Sequence, residues 1–433
     1  MTSGWGTAAL GTLLARAATL AMTMGSGVIL ARELAPSGRG TYYVLLSVAI
    51  SSYFLGNLSV DQAMVSRWQR QAERPALRAN CLLLGPVLGT AAALVAAAAA
   101  VAMGDRASLR EPLLLAVVLL TVPINVTGTY VTAALGLEGR VGLATWGSFG
   151  GSAAQFALLA LCSAAGSLTI ARAVCVWVLS VTVTLALFVR FGRFGVACRE
   201  TGLAVRTVTL GLRNHIGLVA VQILMRADVL VLNATESAAT AGLFSVAVTL
   251  VDLVSVATMS LSLVGLARQA DEEIEDAAKV TATATRLAGL VGVASMAVLC
   301  LTAPVLIPLV YGAEFRDSAV ALFGLAPGVL LYAVTRPIWT HLVRLDRPGT
   351  ATGIAVLAFA LNAALALALI PAFGMLGCAI ASSIAFACFA ATQTAWFLRA
   401  TGLPLSAIVP GPREVRAVLR ILARVRQRLA TRP

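Results

Sequence analysis

Charge is the scarcest commodity in this chain. Asp, Glu, Lys and Arg make up 12% of its 433 residues against 59% hydrophobic, whereas a water-facing surface needs roughly 25–35% charge. A soluble globular fold is excluded, because contiguous apolar patches would be left facing water. Histidine occurs only twice. The seven cysteines, at 81, 162, 175, 198, 300, 378 and 388, have no CxxC or Cys/His spacing, which excludes a tetrahedral metal centre and leaves them as small hydrophobes. No Gly-rich phosphate loop ending in Lys, no HExxH and no nucleophile elbow occurs. Neither an enzyme nor an ATPase is expected, and no cofactor beyond a coupled H⁺ or Na⁺. The net charge of +13 comes without any nucleic-acid-binding module, so nucleic acid is not an expected partner, and anionic lipid headgroups account for the excess.

What the chain has in abundance is apolar runs of spanning length. They fall at 9–31, 41–60, 81–103, 113–135, 142–164, 169–189, 214–233, 238–266, 287–310, 319–343, 350–370 and 375–398. The expected fold class is therefore an all-α polytopic membrane protein of about 12 helices. The first run lacks a basic n-region and is too long for a cleavable signal core, so it reads as a permanent span. With an even count both termini share a side. Of the 32 Lys and Arg, 23 fall in the loops and tail of that side and six on the other, which makes the termini cytoplasmic in a plasma membrane. The loop RELAPSGRG, carrying Arg32 and Arg39, opposes this bias locally as a short outer loop.

The sequence also repeats. Leu30–Ala49 aligns with Leu232–Leu250, placing Gly40 opposite Gly242 and Tyr42 opposite Phe244; LEGR at 137–140 faces LDRP at 345–348, and FVR at 188–190 faces FLR at 397–399. Two six-helix lobes of like orientation follow, 1–190 and 214–400, related by a pseudo-two-fold axis along the membrane normal and enclosing a central cavity. A basic, partly amphipathic linker occupies 191–213, and 401–433 forms a basic cytoplasmic tail. After Pro412 that tail places Val415, Val418, Leu422, Val425 and Leu429 on one helical stripe suited to the inner leaflet, with a disordered basic tail as the other reading.

Three arginines lie inside apolar runs: Arg16, Arg226 and Arg336. Each costs roughly 2.5–3.5 kcal/mol on insertion scales and needs a partner, water or a ligand. Arg16 sits near enough to an end to snorkel instead. In the seventh run His215, Gln222, Arg226 and Asn233 recur near the helical period and predict a polar stripe. Asp228 lies about 200° around an ideal helix from Arg226, so it needs a partner elsewhere. Asp252 shares a face with Ser245 and Thr249 and is the leading protonatable carboxylate; it reads equally as a proton carrier, an arginine partner or an Na⁺ ligand, and both aspartates also fit ordinary packing salt bridges.

Several segments resemble the polysaccharide flippases of the multidrug/oligosaccharidyl-lipid/polysaccharide exporter superfamily: GVILARELAPSGRGTYYVLLSVA at 27–49, RADVLVLNATESAATAGLFSVAVTLVDL at 226–253, and, from 304 to 402, the succession PVLIPLVYGAEFRDSA, a span, HLVRLDRPGTATG and LNAALALALIPAFGMLGCAIASSIA. The resemblance implies a flippase that carries a polyprenyl-pyrophosphate-linked oligosaccharide from the inner to the outer leaflet by alternating access, for cell-surface polysaccharide assembly. It further implies that Arg16, Arg226 and Arg336 hold the headgroup, that Gln222 and Asn233 meet its sugars, and that Asp228 or Asp252 couples an ion. Implied partners are the anionic lipid-linked oligosaccharide, membrane lipids, and a polysaccharide polymerase or glycosyltransferases. The alternatives are an ion-coupled multidrug and toxin extrusion antiporter and a non-transporting scaffold of a polysaccharide assembly complex.

Overall fold

The computed structural model describes residues 3–103, 112–271, 274–345 and 347–411. The tail stripe between 415 and 429 therefore lies outside the described residues. Among those described no strand occurs, and fourteen α-helices follow in order: α1 Ser3–Asn57, α2 Val60–Arg67, α3 Arg74–Met103, α4 Pro112–Leu119, α5 Thr121–Leu137, α6 Val141–Ala164, α7 Ile170–Gly192, α8 Thr201–Leu224, α9 Ala227–Thr235, α10 Ala238–Asp271, α11 Ile274–Tyr311, α12 Ser318–Val334, α13 Arg336–Arg344 and α14 Pro348–Thr401. The chain is an all-α polytopic membrane protein.

Seven of these helical stretches are long and apolar enough to cross a membrane, or nine when each of two bent pairs counts as one span. Two of the long ones hold more than one crossing. At 1.5 Å per residue α1 and α14 would each reach roughly 80 Å, against ~30 Å of hydrocarbon. Both are broken: α1 at Ala35 (φ 53°, ψ 177°) just before Pro36, α14 at Gly374 (φ 52°, ψ −130°) just after Pro371. A left-handed φ at an alanine is strained and must be held by its surroundings. The residue missing its N–H at Pro36 allows the helix to resume without a broken hydrogen bond.

The run expected at 214–233 is not one helix. α8 begins at Thr201 and bends by 59° between 201–213 and 215–224; the helix then ends at Leu224, Arg226 is non-helical (φ −128°), and α9 resumes at Ala227. A second bend, of 43°, separates α12 from Arg336–Leu342, where the Arg336–Pro337 pair interrupts the helical ladder.

Two compact units emerge, Met1–Ser245 with Pro308–Phe315, and Val246–Ile307 with Arg316–Pro433. In the first, α1 packs on α3, α5 and α6, α3 on α5, and α6 on α7, around a core of Val118, Val122, Val126, Tyr130, Leu135, Leu159 and Val174. In the second, α12 packs on α14. Gly328 lets those two backbones touch: a Cβ there would overlap Ser383, whose Oγ instead accepts the Gly328 N–H at 2.8 Å. Nearby, buried Gln393 donates to Thr335, and Thr281 bonds to His341. Small residues and paired polar side chains are what bind helices together in lipid, where apolar surface gains nothing by association.

Candidate functional site

Arg226 and Arg336 both sit where the helical ladder is interrupted. Arg226 lies between α8 and α9, half-buried, and its Nη1 donates to the Tyr43 hydroxyl at 2.8 Å. Arg336 opens α13 at the 43° bend, half-buried, with its guanidinium 5.7 Å from the Tyr332 ring centroid. Arg16 is exposed on α1. Of the remaining candidates, Gln222 is half-buried near the end of α8 and Asn233 buried in α9. Asp228 is buried in the first turn of α9, where peptide dipoles favour a carboxylate. Asp252 is exposed on α10. The first unit thus holds Arg16, Gln222, Arg226, Asp228 and Asn233, the second Asp252 and Arg336.

The continuous stripe expected from His215 to Asn233 does not form, because the interruption at Met225–Arg226 resets the helical phase. His215 faces the α1–α2 turn instead, with its ring nitrogens 3.2 Å from Ser59 Oγ and 3.1 Å from the Leu55 carbonyl. That turn passes through two consecutive left-handed residues, Leu58 and Ser59. His215 and the Tyr130 hydroxyl, which donates to the Asn57 carbonyl at 2.6 Å, hold it in place.

Just past the turn stands Asp61, whose Oδ1 accepts from Asn57 Nδ2 at 3.0 Å. Among the described residues it is the one carboxylate lining a cavity of about 540 Å³ inside the first unit, together with Asn125, Thr129, Ser148, Gln155 and Trp177 among others. A carboxylate facing hydroxyls and amides can exchange a proton or coordinate a small cation.

Arg39 was missed altogether. Expected in a short outer loop, it lies within α1 four residues beyond the Ala35 break and is 4% exposed. Its Nη1 donates to the Gly27 carbonyl and its Nε to Ser245 Oγ at 2.9 Å, while the guanidinium sits 5.4 Å and 6.0 Å from the Tyr311 and Phe315 ring centroids. Among the described residues no carboxylate pairs with it. Arg32, also expected in that loop, donates to the carbonyls of Leu309 and Val310 at 2.6 and 2.8 Å, satisfying acceptors that the end of α11 leaves open. Two arginines of α1 therefore grip the segment 308–315.

Beside Arg39, Gly40 and Gly242 meet. A Cβ on Gly40 would overlap the Ala238 carbonyl, and one on Gly242 that of Pro36. These are the residues that the internal repeat aligns.

No protein-family model and no curated protein sequence matches the chain. Solved structures do match. A multidrug resistance MATE family transporter of the MOP superfamily, in an inward-facing conformation, aligns at a TM-score of 0.70 and 16% identity over 89% of this chain and 94% of that one. The lipid II flippase MurJ in an inward closed conformation aligns at 0.70 and 13% identity over 93% and 88%. A MOP superfamily transporter from Pyrococcus furiosus aligns at 0.63 and 13% over 91% and 94%. The chain therefore has the fold of the MOP superfamily transporters. The solved proteins that share it are transporters and a flippase, not enzymes.

Proposed function

We propose that this chain is a plasma-membrane flippase, with both termini cytoplasmic, that moves a polyprenyl-pyrophosphate-linked oligosaccharide from the inner to the outer leaflet by alternating access. The observation that carries the reading is the placement of Arg226 and Arg336 at breaks in otherwise apolar helices. A broken helix exposes peptide groups that tolerate depth in a membrane only beside protein or a wet cavity, and an arginine at such a break offers a forked cation suited to a pyrophosphate. The fold shared with MurJ, described as a lipid II flippase, supports a lipid-linked cargo.

In this reading Arg226 and Arg336, with Arg16, meet the headgroup; Gln222 and Asn233 meet its sugars; Asp228 or Asp252 couples H⁺ or Na⁺; and a polysaccharide polymerase or glycosyltransferases work on either side of the step. The Asp61 cavity favours a second reading, ion-coupled extrusion of multiple drugs, in line with the MATE structures. Reconstituted protein bearing Arg226→Ala and Arg336→Ala separates the two. A flippase loses translocation of lipid-linked sugar, an extruder of cationic drugs keeps efflux, and a scaffold translocates nothing even as wild type.

A further inference from the structure

On the first unit, three loops border a second, open cavity of about 780 Å³: the approach to α3, the α5–α6 turn and the segment after α7. Four guanidinium groups line it, Arg74, Arg78, Arg140 and Arg193, against one carboxylate, Glu138. Two of the four are committed to the protein. Arg78 pairs with Glu138, donates to the carbonyls of Gly192 (2.8 Å) and Arg193 (3.1 Å), and lies 4.4 Å from the Phe194 ring centroid. Arg140 donates to Phe191 and Gly192 at 2.7 and 3.0 Å and reaches Glu138 at 3.5 Å. Between them they occupy the open carbonyls of α7 and neutralise Glu138, removing what would otherwise repel an anion.

The other two are not so committed. Arg74 is aimed by one bond, Nε to the Trp68 carbonyl at 2.8 Å, and by the Trp68 ring 5.7 Å away, while its two terminal nitrogens have no hydrogen-bond partner among the described residues. Arg193, held in a left-handed backbone conformation at φ 56°, has a side chain with no hydrogen bond or ion pair among those residues. The cavity also abuts the first turn of α3, whose dipoles favour negative charge. Two of the four are spent on bonds within the protein, while half-buried Arg74 and exposed Arg193 line the same cavity with guanidinium donors not committed in that way.

We propose that this pocket binds a phosphate-bearing anion, held bidentately by Arg74 and Arg193. The chemistry is common to a lipid phosphate and to soluble pyrophosphate, and the inference stands whether or not the chain is a flippase. The test uses the purified full chain in detergent, with native mass spectrometry after incubation with phosphatidylglycerol or phosphatidylcholine, and calorimetric titration with pyrophosphate.

Wild type is expected to retain phosphatidylglycerol or to bind pyrophosphate, and Arg74→Gln/Arg193→Gln to weaken that binding about tenfold or more. Retention of phosphatidylglycerol that pyrophosphate does not displace assigns the site to a lipid headgroup; displacement assigns it to a soluble anion. Arg70→Gln/Arg206→Gln removes the same charge from exposed arginines that are already paired with Glu73 and Glu200, and is expected to change nothing. Should the first pair not fold, Arg193→Gln alone carries the test. Binding of both anions unchanged by the pocket substitutions, or lost equally in the control pair, would overturn the proposal.

Discussion

Replacing Arg39 offers a sharp test of how the first unit is held together, because size and charge make opposite demands there. Arg39→Ala removes bonds to Gly27 and Ser245, the contacts with the Tyr311 and Phe315 rings, and the volume of a side chain that is 4% exposed. Truncating a large buried side chain to alanine costs about 2–5 kcal/mol. Arg39→Met keeps most of the volume and the ring contacts while removing a buried cation that no carboxylate balances, and apolar replacement of buried charge is often neutral or better. At about 2–4 °C per kcal/mol for a unit of this size, thermal unfolding in detergent should place the alanine variant roughly 10 °C below wild type. The methionine variant should fall within a few degrees. If Met is as damaging as Ala, the guanidinium bonds matter more than its desolvation and the reasoning is refuted; if Ala is silent, Arg39 is not a structural clamp at all.

Gly40→Ala should destabilise by about 1–3 kcal/mol or more, since the obstacle is backbone rather than a movable side chain. Gly128→Ala, where nothing lies within 4 Å, should be neutral or slightly stabilising on the same melting curve. Asp61→Asn preserves an oxygen for the Asn57 bond and should leave the melting point nearly unchanged. In the second reading, ion-coupled extrusion through the Asp61 cavity, the same variant in proteoliposomes with an imposed H⁺ or Na⁺ gradient should lose the dependence of efflux on that gradient, whereas coupling through Asp228 or Asp252 leaves the dependence intact.

Apolar run length alone made the fold class legible, because lipid forces backbone groups into helices. The glycine pair at 40 and 242 was legible as residues, and the structure gives them a reason, since a Cβ on either would overlap a backbone carbonyl. The breaks were harder. A hydropathy dip with Pro36 reads as a loop of several residues, whereas the break is the single residue Ala35, which leaves Arg32 and Arg39 in helical backbone on either side of it. The regular spacing from His215 to Asn233 looked like one face of one helix because periodicity carries no mark of a phase reset at Met225–Arg226. Asp61 was visible as a residue but not as a cavity wall, since the turn that aims it depends on His215, 154 residues further along the chain.

The most direct measurement is translocation of a pyrophosphate-linked polyprenyl sugar across proteoliposomes containing the purified chain. Wild type should expose labelled sugar on the far leaflet, and Arg226→Ala with Arg336→Ala should reduce that by about 100-fold, two charge-assisted contacts at ~1.5 kcal/mol each. Translocation undiminished in the double variant would contradict the account.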